Sequence, residues 1–110
     1  MMTDANARLQ KLIRRLRSKK DVKRIHAGLL LGRMGPQAKE AVPTLLELLR
    51  GADARDRRLA AWTLGYIGEG AAEAIPALLV AVRDTDEGVR KMAREALDKI
   101  SPADTTMRAA

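Results

Sequence analysis

Few side chains in this sequence could carry out chemistry. There is one histidine, His26, and there are two serines, Ser18 and Ser101, and no cysteine. A nucleophile of the serine or cysteine type needs a base within hydrogen-bond reach and a third group to orient that base. Both serines fall near predicted helix ends, and no Ser/His/Asp or Cys/His set can be assembled. Without cysteine, disulfides and thiolate metal sites are excluded. The carboxylates are spread along turns and helix starts, where capping explains them. The residues therefore predict a protein that is not an enzyme, with no catalytic residue, no metal site and no cofactor.

Charge gives a stronger signal. Residues 1–33 hold ten Lys/Arg against Asp4 and Asp21, a surplus of eight. The other 77 residues hold eleven basic and twelve acidic side chains, so the net +7 belongs to one end. Arg8, Lys11, Arg14, Arg15, Lys19, Lys20 and Lys23 form a candidate polyanion site, for nucleic acid or another acidic surface. No aromatic residue is interleaved with them for base stacking, so such binding would be to the backbone and steeply salt-dependent.

These residues must be positioned by helices. The 110-residue chain fits one domain, and its abundant Ala, Leu, Arg, Glu and Lys are good helix formers. With no Phe, one Trp and one Tyr, the core must be aliphatic. The polar start MMTDANARLQ has no signal-peptide core, and no run approaches the roughly 18 apolar residues of a membrane span. A cytoplasmic protein with no membrane span is expected.

Sliding the sequence by 33 residues aligns segment 21–53 with segment 54–86 at thirteen positions. Among these are Arg24/Arg57, Ala27/Ala60, Leu31/Leu64, Gly32/Gly65, Gly35/Gly68, Pro43/Pro76, Leu46/Leu79 and Asp53/Asp86. The register extends upstream, where Leu9, Leu12, Ile13 and Leu16 align with Val42, Leu45, Leu46 and Leu49. Downstream, Arg90, Ala93, Leu97 and Ile100 align with Arg57, Ala60, Leu64 and Ile67. A fixed period over this much of the chain signals stacked repeats. Each unit reads as an A helix (21–34, 54–67, 87–100) followed by a B helix (39–50, 72–83), with a B-type forerunner at 4–18. Gly35 and Gly68 suit helix C-termini, and Pro43 and Pro76 belong in the first turn of B, which would start near Glu40 and Glu73.

The pattern Asp53, Arg57, Ala60, Leu64, Gly65, Ile67, Gly68, followed by Ala74, Ile75, Pro76, Leu78 and Leu79, closely resembles the HEAT-like repeats first described in phycobilisome lyase subunits. The resemblance spans residues 9–100. It implies an all-α fold, a short right-handed α-solenoid of about six helices. Its parts would be a capping half repeat (1–20), repeats at 21–53 and 54–86, a terminal half repeat (87–100) and a tail (101–110). It also implies that Arg24, Arg57 and Arg90 are structural, pairing with turn acids such as Asp53 and Asp86 and with the preceding helix end. His26 aligns with Leu59 and Met92 and should be half-buried packing. Trp62 and Tyr66 should pack between A helices, against Leu29.

In such arrays the B helices line the concave face. Their solvent-side positions align as Lys11/Thr44/Ala77, Arg14/Glu47/Val80 and Arg15/Leu48/Ala81, grading from basic to apolar. These nine residues are the candidate binding surface for a protein partner, with Leu48, Val80 and Ala81 as apolar contacts. Self-association through the terminal half repeat, and a role as an accessory subunit of a lyase-type enzyme, are the other expectations.

Overall fold

The computed structural model describes residues 4–101, and the tail expected at 101–110 lies outside them except for Ser101. The α-helices are α1 (Asp4–Arg15), α2 (Asp21–Met34), α3 (Val42–Leu49), α4 (Ala54–Ile67), α5 (Ile75–Ala81) and α6 (Glu87–Ile100). The three A helices, α2, α4 and α6, have the predicted bounds. The B helices do not start near Glu40 and Glu73. They start at Val42 and Ile75, after 3-10 stretches at Gly35–Ala41 and Gly68–Ala74. The chain between A and B thus keeps helical hydrogen bonding in a tighter form. The described residues therefore run as four continuous helical segments, 4–15, 21–49, 54–81 and 87–100, and not as about six separate helices.

Each long segment folds back on itself at two places. Gly35 and Gly68 take φ of 62° and 74°, a backbone region that costs a side-chain-bearing residue energy. Ala38 and Ala71 then leave helical geometry inside the 3-10 stretches. Pro43 and Pro76 sit in the first turns of α3 and α5, where no intrahelical amide bond is lost. The segment 54–81 is long and apolar enough, by length and composition alone, to cross a bilayer, which the sequence reading did not anticipate. It is bent at Gly68 and Ala71, however, and both of its helices pack against α6.

The core is aliphatic as the composition requires. Leu16, Leu31, Val42, Leu45, Leu64, Ile67, Leu78 and Val89 are fully buried, and alanines fill the space between them. Leu9 and Leu12 of α1 bury the face that the repeat register assigns to them.

The A helices are stacked closely through small residues. A methyl group on Gly32 would lie 2.5 Å from the Trp62 ring, and one on Gly28 would lie 2.6 Å from Leu59 Cδ1. On Gly65 it would lie 2.9 Å from the Ala96 Cα. A side chain such as Leu59 can swing aside, but the α6 backbone at Ala96 cannot. Overpacking costs roughly 1–3 kcal/mol, and the higher helix propensity of Ala returns about 1 kcal/mol. Gly65→Ala is therefore expected to lower the urea midpoint, and by more than Gly28→Ala does. An unchanged or raised midpoint for Gly65→Ala would show that α4 and α6 are not held at this distance.

Candidate functional site

The start of each A helix shows which side chains are structural. Arg57 Nε and Nη2 donate to the two carboxylate oxygens of Asp84 at 2.9 and 3.0 Å, while Nη1 reaches the Gly51 and Ala52 carbonyls. Arg24 donates to Asp56 at 3.0 Å, to Asp21 and to the Ser18 carbonyl. Arg90 reaches the Asp84 and Thr85 carbonyls. The preceding helix ends are thus the partners expected, and Asp84, held by Arg57, is a turn acid, though not one of the two singled out. Asp53 and Asp86 do not pair with these arginines. Asp53 accepts the Arg55 amide and Asp86 the Val89 amide, so they cap α4 and α6. Their place just before the helix aims them at amides left free by the first turn, and the guanidinium finds carboxylates elsewhere.

These clamps set the local electrostatics. Hydrogen bonds from Arg57 hold the Asp84 carboxyl below its ordinary value, against burial, with help from the Asp86 amide. Burial opposes the charge of Arg24, but hydrogen bonds to Asp56 and Asp21 outweigh it and raise its pKa.

His26 is exposed, not half-buried. Its counterparts Leu59 and Met92 lie on A helices that have another A helix before them, and α2 has none among the described residues. Trp62 does pack between A helices, but the contact is with Gly32, and its ring lies 4.5 Å from that of Tyr66. Lys99 Nζ sits 4.9 Å from the Tyr66 ring centroid. Among the described residues no three His, Asp or Glu side chains converge in a way that could hold a metal.

The predicted partner surface is assembled only in part. Lys11, Arg14, Glu47 and Val80 are exposed, and Arg15, Leu48 and Ala77 are half-buried. Thr44 and Ala81 are buried, which corrects their place on the solvent side. Thr44 belongs to α3, the middle B helix, which is flanked on both sides, whereas its counterpart Lys11 is on the first. Ala81 ends α5, and its carbonyl accepts the Asp84 amide, so the following turn folds over it. Glu47 pairs with Arg17 at 2.6 Å, and both side chains remain exposed. In the polyanion set, Arg8, Lys11, Arg14, Lys19, Lys20 and Lys23 are exposed.

One apolar residue of this surface was not anticipated. Leu79, matched to Leu46 as core, is 55% exposed, next to Val80 at 74%. The signal was present in the register: among the described residues no B helix follows α6 to cover that face of α5. Leu79 and Val80 line an open trough of about 1190 Å³ between α5 and the end of α3, with Leu49, Arg50, Pro76 and Arg83 among its walls.

The family model for HEAT repeats matches residues 9–98. The chain belongs to the HEAT-repeat family. No curated protein matches it. HEAT repeats are generally non-catalytic modules for protein interaction, and in this one exposed apolar side chains lie along α5, at Leu79 and Val80, and on α2, at Val22, Ile25 and Leu29.

The Arg57–Asp84 clamp makes a pH prediction. A carboxyl whose pKa is lower in the folded than in the unfolded state gives stability that is complete above the unfolded value, about 4. That stability is lost as the pH falls through the folded value, because the unfolded chain binds the proton first. Asp84→Asn should therefore destabilise at pH 7, and the gap to the parent should narrow below about pH 4. Urea denaturation across a pH series measures this, and a gap independent of pH would show that the Asp84 charge contributes nothing.

Proposed function

We propose that the chain is a non-catalytic HEAT module that takes a protein partner on its B-helix side, at the trough beside α5. The observation that supports this most directly is Val80. It occupies the position of Arg14 and Glu47 in the earlier B helices, yet it is a branched aliphatic residue with most of its surface in water. Leu79 beside it extends the apolar ground, and Ala77 and Pro76 continue it along the helix. Arg50 and Arg83 flank it with charge. An apolar centre with a polar rim is the usual anatomy of a recognition patch. Binding here needs no conformational change, since the helices that present the patch are already fixed by the core.

A second reading, polyanion binding at the basic end, rests on the exposure of Arg8, Lys11, Arg14, Lys19, Lys20 and Lys23. Salt separates the two. Contacts to phosphate weaken steeply as salt displaces them, whereas burial of Val80 and Leu79 does not depend on released counterions.

Val80→Asp tests the first reading. The substitution is at an exposed site and should change stability by no more than about 0.5 kcal/mol. Partner capture should fall by at least about tenfold, which corresponds to roughly 1.4 kcal/mol of binding free energy. Undiminished capture by the folded variant would remove the trough as the binding site.

A further inference from the structure

The A helices of this chain reach backward. Leu59 and Trp62 of α4 lie over Gly28 and Gly32 of α2, and Thr63 Oγ1 donates to the Gly28 carbonyl at 3.0 Å. In the next step, Ala96 and Lys99 of α6 lie over Gly65 of α4. At both steps the earlier A helix offers glycine to the later one, which fills the space with Leu59 and Trp62 in the first case and with Ala96 and Lys99 in the second. One repeat upstream of Leu59, Trp62 and Tyr66 are His26, Leu29 and Arg33 of α2. No A helix among the described residues receives these. Leu29 is 39% exposed, and Val22 and Ile25, on the same side of the helix, are 78% and 46% exposed.

We propose that this face of α2 docks an acidic amphipathic helix of a partner protein, with Gly or Ala at two positions four residues apart. The shape requirement comes from the chain itself. Leu29 and His26 reach out as Trp62 and Leu59 do, and those two are received by Gly28 and Gly32, one helical turn apart. The charge requirement comes from the surroundings. Lys19, Lys20 and Lys23 stand at one end of the face and Arg33 at the other, all exposed. The single acid of α2, Asp21, is engaged by Arg24 and Arg55. A second copy of the chain fits poorly. Two such faces placed together would oppose their own lysines. The outer side of α6 carries Arg94 and Asp98 at the register positions of Gly28 and Gly32, where the close approach needs small residues.

The test is fluorescence anisotropy of the full chain with a labelled synthetic peptide. The peptide is Ala- and Glu-rich, about 18 residues long so that it holds a helix, and carries two Gly four apart. Saturable binding is expected. It should weaken at least about tenfold for Leu29→Glu, and equally for a peptide with Lys in place of Glu or Leu in place of the two Gly. Val80→Asp should bind the peptide like the parent. Circular dichroism checks folding, and Ile25→Glu serves if Leu29→Glu does not fold. Absence of saturable binding, or equal binding of the Lys or Leu-filled peptide, would overturn the proposal. Sedimentation showing a dimer abolished by Leu29→Glu would assign the face to a second copy and overturn it. Co-pelleting with vesicles of anionic lipid, lost in Leu29→Glu, would assign it to a membrane surface with the same consequence.

Discussion

The fold depends on A helices lying closer together than ordinary side chains would allow. Gly28, Gly32 and Gly65 provide that space, and Leu59, Trp62 and Ala96 fill it. Once α2, α4 and α6 are stacked at this spacing, the other features follow. Each B helix must fold back from its A helix within a few residues, which is why the chain turns at a glycine of positive φ and tightens into a 3-10 stretch. The apolar faces of A and B then close on Leu31, Leu45, Leu64 and Leu78 in successive layers. A single helix pair has nothing to cover those leucines on its far side, so stability comes from neighbours and not from any one unit.

The arginine clamps hold the same layers at their edge. Arg57 ties the turn before α4 to Asp84 at the far end of its own repeat, and Arg24 ties the turn before α2 to Asp56 in the following repeat. Each arginine thus joins one unit to another. With the glycine stacking they make the array resist sliding of one repeat past the next. A surface carried on such a frame keeps its shape before a partner arrives, which lowers the ordering cost of binding.

Much of this was legible in the sequence because a 33-residue register states which positions are equivalent. The A helices, the glycine turns, the prolines in the first turn of B and the leucine core all came from equivalence alone. What equivalence does not state is who the neighbours are. Leu46 and Leu79 occupy the same slot, but among the described residues Leu46 has a following B helix and Leu79 has none, so one packs and the other meets water. His26 differs from Leu59 and Met92 for the same reason at the other end. Thr44 is buried and Lys11 is not, because α3 is flanked on both sides. The arginine partners escaped for a different reason. A guanidinium chooses among carboxylates by geometry in three dimensions, and Asp53 and Asp86 are turned toward the free amides of the helices they cap.

The two ends of the array are consequently unlike. At α6 the outward positions equivalent to the stacking glycines hold Arg94 and Asp98. A further A helix could not approach there as closely as α4 approaches α2, because these positions carry side chains where Gly28 and Gly32 carry none. At α2 the outward positions are apolar or neutral at their centre, with Val22, Ile25 and Leu29 in water, and the cations sit at the margin. On the B side, α5 leaves Leu79 and Val80 uncovered where α1 presents Arg14. Among the described residues, close stacking of a further helix is thus favoured by the side chains at α2 and along α5 and opposed by those at α6, since an approach as near as that of α4 to α2 needs small residues on the receiving face.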